Sequence, residues 1–176
     1  GLQRSILAEN IAGDTAVGHG LAYSQLVESL AGFEPSDDLQ AERCIALEME
    51  RIAIHIGDTA ALCADIAYQL GQVACEALRT LVINTTQYWC GNRFGKGLIR
   101  PGGTNYRLTD FIAERILNVL AEVEKRFANV TDCLYARSGI LERFEETGTI
   151  TRKQAALIGT VGMAARTCGI TRDIRK

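Results

Sequence analysis

Seven apolar side chains, Ile112, Ile116, Val119, Val123, Phe127, Val130 and Leu134, recur every three to four residues through one unbroken stretch. That spacing gathers them on one stripe of an α-helix, whereas a strand would scatter them over both faces. Only two prolines, Pro35 and Pro101, stand in the 176 residues, so helices meet few breaks. About thirty residues rising 1.5 Å each would span roughly 45 Å. A stripe of that length must be buried against other helices. The expected fold class is therefore all-α, a bundle of long helices with little or no sheet.

The rest of the chain agrees. Leu21, Leu26, Val27 and Leu30 recur at helical spacing from about Gly20 to Leu30. Residues 32–38 read as a loop in which Ser36 or Asp37 can cap the next helix. Ile45, Met49, Ile52, Ile56, Ala60, Cys63 and Leu70 keep the period of an amphipathic helix, with Gly57 and Gly71 as bends or close-packing points. A further helix is expected through Val73 to Tyr88. Five glycines and Pro101 between Gly91 and Tyr106 predict a loop. Thr151-Arg152-Lys153-Gln154 has the form of a capping box opening a short helix. Gly159, Gly162 and Gly169 punctuate an irregular tail. A single helical domain over residues 1–176 accounts for all of this.

A net charge of −2 argues against a nucleic-acid or anionic-membrane surface. No apolar run approaches the ~20 residues needed to cross a bilayer, and the first residues do not have the pattern of a signal peptide. Cysteines stand at 44, 63, 75, 90, 133 and 168, with no Cys-x-x-Cys pair, so zinc and iron–sulfur spacings are missing. The reading is buried, reduced thiols. No glycine-rich phosphate loop follows a strand and no Ser/His/Asp arrangement is recognisable.

The stretch Glu9-Asn10-Ile11-Ala12-Gly13-Asp14-Thr15-Ala16-Val17-Gly18-His19 resembles the N-terminal metal motif of nickel–iron hydrogenase large subunits, Glu-Arg-(Ile/Val)-Cys-Gly-(Ile/Val)-Cys-x-x-x-His. Glu9, Ile11, Gly13 and His19 fall on the pattern, while Ala12 and Thr15 stand where the two cysteines belong. A methyl group and a hydroxyl cannot replace two soft thiolates. Four further pieces follow in order: residues 21–28, LAYSQLVE; 47–55, LEMERIAIH; 97–103, GLIRPGG; and 165–175, ARTCGITRDIR. Together they resemble the hydrogenase-like large subunit of respiratory complex I, the 49 kDa-type subunit of NADH-quinone oxidoreductase, and that of membrane-bound energy-converting hydrogenases. In that family a β-rich segment precedes the motif and a second cysteine-pair region follows, so the chain is expected to be the middle of a larger subunit.

Arg51, His55 and Asp58 fall on one face of a helix, with Glu48 one turn back. The resemblance implies that the histidine matching His55 lies near the iron–sulfur cluster of an adjacent small subunit, where an imidazole can exchange a proton as the cluster changes charge. The alternative is a histidine satisfied by Asp58 or a backbone carbonyl. His19 matches the histidine behind the metal ligands and has no thiolates to orient. Gly13 stands near the position of a quinone-binding tyrosine and has no hydroxyl to donate. Arg100, in a turn-forming Arg-Pro-Gly-Gly loop, and Arg166, with Asp173 and Arg175, are candidate interface or redox-site cations.

The resemblance implies a core fragment of a large subunit in an electron-transfer complex, lying on the cytoplasmic side and peripheral to the membrane through that complex. Its implied partners are an iron–sulfur small subunit and the other subunits of the assembly. No metal or cofactor is expected in this chain; the iron–sulfur cluster belongs to the partner, and a quinone is the candidate acceptor. Alone, the fragment is expected to be inactive and to self-associate through exposed apolar surface. The alternative is a non-catalytic helical scaffold or assembly subunit. Ala12 and Thr15 argue against an active nickel–iron hydrogenase.

Overall fold

The computed structural model describes residues 2–171. Eight helices and one small hairpin follow in order: α1 (Leu2–Glu9), α2 (Ala16–Ala31), α3 (Asp37–Asp65), α4 (Gln69–Cys90), β1 (Ile99–Arg100), β2 (Gly103–Thr104), α5 (Asp110–Tyr135), α6 (Ser138–Phe144), α7 (Arg152–Leu157) and α8 (Gly162–Thr167). The chain divides into two compact units, Gly1–Ala136 and Arg137–Lys176. The all-α reading holds.

In the first unit, α3 and α4 pack against each other and α5 lies on α4. The buried side of α3 carries Ala46, Met49, Ala53, Ile56, Ala60 and Cys63 at helical spacing, and α4 answers with Cys75, Leu78, Val82 and Ile83. The stripe of α5 reaches this core through Ile116 and Val123, with Ile112, Val119, Phe127 and Val130 packed beside them. α5 is 26 residues long, or about 39 Å, and Thr109 caps it by accepting the Ile112 N–H at 3.4 Å. Ser36 caps α3 in the same way, accepting from Leu39 N–H.

The apolar period from Ile45 to Leu70 does not belong to one helix. α3 runs straight through Gly57 and ends at Asp65; α4 begins at Gln69. Ala67 takes a positive φ of 59°, and the Tyr68 N–H donates to the Cys63 carbonyl at 2.7 Å, closing the turn. Gly71 lies under that turn. A Cβ there would come within 2.6 Å of the Tyr68 ring and 2.9 Å of Cys63 Sγ. The glycine is therefore a close-packing point rather than a bend.

The segment Gly91–Tyr106 is mostly turns, as expected, but holds a minimal antiparallel hairpin that pairs Ile99 with Thr104 and Arg100 with Gly103. Asn92 Oδ1 accepts from Phe94 N–H and Lys96 N–H, the local bond by which asparagine stabilises a turn. Leu98 and Ile99 anchor the hairpin in the core, and the Trp89 indole N–H donates to the Tyr106 carbonyl at 3.1 Å.

In the second unit, the predicted capping box at Thr151 is present, with both reciprocal bonds to Gln154. The tail is more regular than expected, because residues 162–167 form α8. Ile140, Ala155 and Ala165 are its buried apolar residues.

Candidate functional site

The motif of residues 9–19 joins the end of α1 to the start of α2. Glu9 is 2% exposed. One carboxyl oxygen accepts the Gly97 N–H at 2.8 Å, and the other is buried without a partner. Burial pushes this carboxyl above its ordinary value, against the opposing pull of the Gly97 N–H and Lys96. Beside it, Lys96 Nζ donates to Asn10 Oδ1 at 2.7 Å, so α1 and the loop after α4 are tied at two successive residues.

Thr15, in the place of the second cysteine, is the N-cap residue of α2 but makes no side-chain capping bond. Glu50 from α3 performs that task. Its two oxygens accept the Val17 N–H at 2.7 Å and the Gly18 N–H at 2.9 Å, satisfying exposed donors at the positive end of the helix. Burial raises the Glu50 carboxyl, while the two N–H groups and nearby His19 pull it down. His19 is half-buried in the first turn of α2. Ala12 lies in the bend before it.

Neither Ala12 nor Thr15 carries a thiol. Cys90, electrostatically coupled to Glu9, is held as a buried thiol, raised above its ordinary value by burial and donating to the Thr86 carbonyl at 3.3 Å. Among the described residues no group of three or more His, Cys, Asp or Glu side chains is placed to hold a metal ion. All six cysteines are free, but only Cys63, Cys75 and Cys90 are buried; Cys168 is half-buried, and Cys44 and Cys133 are exposed. The buried reading thus holds for Cys63, Cys75 and Cys90 and is corrected at Cys44, Cys133 and Cys168. The Cys75 thiol is pushed up to about 11 by burial and by neighbouring Cys63.

A second polar centre has no motif in the sequence. Arg43 of α3 meets Glu28 of α2 in a buried two-point ion pair, with Nη1 to Oε2 at 2.9 Å. Arg43 Nη2 donates both to Glu28 Oε1 and to the Arg100 carbonyl, the latter at 3.0 Å, and Glu28 Oε1 also accepts the Gly102 N–H at 2.7 Å. Arg43 holds the Glu28 carboxyl below the usual range. Glu42, one residue earlier, accepts from Thr104 Oγ1 and Leu108 N–H. The hairpin is thus fastened by its backbone and the Thr104 hydroxyl, and the Arg100 side chain is left exposed. The available signal was charge at a core position: Arg43 and Glu50 lie one turn from Ala46, on the same buried side as Met49 and Ala53.

On the outer side of α3, Glu48, His55, Asp58 and Leu62 are exposed and Arg51 is half-buried. These five residues form one stripe. Arg51 pairs with Glu48, Nη2 to Oε1 at 3.2 Å, and not with His55. The His55 carbonyl accepts from Thr59 Oγ1. Asp58 lines a cavity of about 300 Å³ together with Gln72, Glu76 and Arg79. The structure therefore gathers Arg51, His55 and Asp58 on α3, and Ala12, Thr15 and His19 at the start of α2. Arg100 is in the hairpin. Arg166 is exposed on α8, in the second unit. Asp173 and Arg175 lie outside the described residues.

Residues 65–176 match the family described as respiratory-chain NADH dehydrogenase, 49 Kd subunit. The whole length also has relatives. The membrane-bound hydrogenase alpha subunit of Pyrococcus furiosus is 26% identical over 99% of this chain and 41% of that protein. The D subunit of NADH-quinone oxidoreductase from Campylobacter jejuni is 30% identical over 92% of this chain and 40% of the relative. Its counterpart from Akkermansia muciniphila is 28% identical over 90% of this chain and 38% of the relative. The chain thus spans about two fifths of the length of the relatives it matches.

Proposed function

Because the chain belongs to the family of the 49 kDa subunit of respiratory-chain NADH dehydrogenase, we propose that it serves as the helical core of a large subunit in an electron-transfer complex. In this reading the outer stripe of α3 packs against an iron–sulfur small subunit, and the cluster, not this chain, carries the electrons. The observation that carries the proposal is the stripe itself. Glu48, Arg51, His55, Asp58 and Leu62 combine charge, an imidazole and an apolar side chain on one continuous, solvent-facing line. The His55 ring makes no bond to Asp58 or to a carbonyl among the described residues. It is free to meet a partner.

The chemistry assigned to this chain is limited to its own residues. Glu50 and Glu9 hold the α2 entrance in place, and His55 is the exposed imidazole offered to the partner. Nickel–iron chemistry is not assigned, because Ala12 and Thr15 offer no soft ligands. A quinone remains the candidate acceptor in the complex, although exposed Gly13 has no side chain to bind its headgroup. No helix among the described residues is long and apolar enough to cross a membrane, so attachment through membrane-bound partner subunits is the proposed arrangement. A non-catalytic scaffold is the second reading, favoured by the lost ligand positions.

The test is to express the full-length subunit with its neighbouring subunits, purify the assembly and measure its metals. Co-purification with an iron–sulfur subunit, with iron and sulfide present and nickel far below one per complex, is expected. Stoichiometric nickel would overturn the assignment at Ala12 and Thr15, and failure to assemble would overturn the partner. An assembled complex that contains the cluster but transfers no electrons would favour the scaffold.

A further inference from the structure

Two arginines converge on one aromatic ring beside the entrance to α2. The guanidinium carbon of Arg79 lies 5.9 Å from the Phe94 ring centroid, and that of Arg93 lies 5.2 Å from it. Each contact is a cation–π arrangement, and an anion bound between the two like charges would offset their repulsion. Among the described residues neither guanidinium has a carboxylate within ion-pairing distance. The acids nearby do not fill this role. Glu50 gives both oxygens to the N-terminus of α2, and Asp14 stands exposed at the edge.

The fold makes room for this pair. Gly57 sits in the interior of α3, where glycine costs about 1 kcal/mol relative to alanine. A Cβ at Gly57 would come within 3.1 Å of Arg79 Cδ and Nε. The missing side chain lets the arginine stem lie flat on α3. Arg79, Arg93 and Phe94 line a pocket of about 20 Å³ together with apolar Met49, Ala53 and Ile83 and the carboxylates of Asp14 and Glu50. That is room for a group about the size of one water molecule.

We propose that Arg79 and Arg93, with Phe94 between them, form a binding site for a carboxylate on a short apolar stem. The forked guanidinium suits the planar carboxylate, and the exposed Phe94 ring offers the stem an apolar face outside the small pocket. The carboxylate is either that of a small free acid or that of a glutamate-like side chain, and the experiment separates them.

Butyrate and N-acetylglutamate α-amide are titrated separately into the 176-residue chain at constant ionic strength, with the arginine Nε–Hε resonances followed by NMR. Saturable shifts at Arg79 and Arg93 are expected. Saturation by butyrate identifies the free acid as sufficient, and saturation by the amide alone identifies the side chain. Arg79→Gln and Arg93→Gln should each weaken binding by roughly tenfold. Arg126→Gln, on the outer side of α5, should change nothing, and circular dichroism checks each fold. No saturable shift with either probe would overturn the site, as would equal weakening by Arg126→Gln.

Discussion

Arg43 on α3 and Glu28 on α2 are bound at two points in a buried pair that also grips the backbone of the Arg100–Gly103 turn. Removing one partner leaves the other charge buried and uncompensated, at a cost of about 3–5 kcal/mol. Arg43→Met should lower stability by about this amount in urea denaturation, and the Arg43→Met/Glu28→Leu double variant should regain part of it. The pair also has a pH signature. Because Arg43 lowers the Glu28 carboxyl, its stabilisation is present above the ordinary carboxylate value of about 4.3 and is lost as pH falls through the lowered one. Glu28→Gln should remove that part of the acid limb.

Glu9 and Glu50 act in the opposite sense. Burial raises both carboxyls, so the folded chain holds their protons more tightly than the unfolded one. Their contribution to stability should be greatest below the ordinary carboxylate value and fall as pH rises from there through the raised one. Glu9→Gln keeps an acceptor for the Gly97 N–H and removes the titration. Denaturation midpoints measured from about pH 4 to about pH 7 should be flatter in this variant than in the parent chain.

Gly71 tests the turn between α3 and α4. Its Cβ would be driven against the Tyr68 ring and Cys63 Sγ, an overpacking that costs about 1–3 kcal/mol. Gly71→Ala should lower the thermal midpoint. Gly139→Ala, in α6 where a Cβ would meet nothing within 4 Å, should not.

Exposed apolar side chains cluster near the end of the described chain: Leu157 is 85% exposed, with Ile158, Val161 and Met163 also outward. Leu30 of α2 is 82% exposed. Surfaces of this kind favour association. Sedimentation velocity should show the chain self-associating as concentration rises, and Leu157→Glu should weaken the association. A strict monomer at high concentration would contradict this.

The α5 stripe, the Ser36 cap and the Thr151 box were legible because their signals are local: spacing, a hydroxyl, and a glutamine three residues on. The α3–α4 break was not. The apolar period continues across it, and Ala67, which takes the left-handed conformation, carries no turn signature. The polar centres were hidden for another reason. Glu50 caps a helix more than thirty residues away in sequence, at Val17, and Glu28 binds a turn 74 residues distant. Such partners follow from tertiary packing. That Ala12 and Thr15 stand where the hydrogenase motif has cysteines was legible from the resemblance, but nothing in the sequence indicated that a glutamate from α3 would close the same helix end.

The role proposed for His55 is tested most directly by the pH dependence of the reduction potential of the iron–sulfur cluster proposed for the partner subunit, measured in the assembled complex for the parent protein and for His55→Met. Methionine roughly preserves the side chain's bulk at an exposed site and removes the imidazole. The expected result is an intact complex with full cluster content and a weaker dependence of potential on pH, because the coupling between proton and electron charge is gone. An unchanged dependence, or a loss of fold in place of a change in potential, would contradict it.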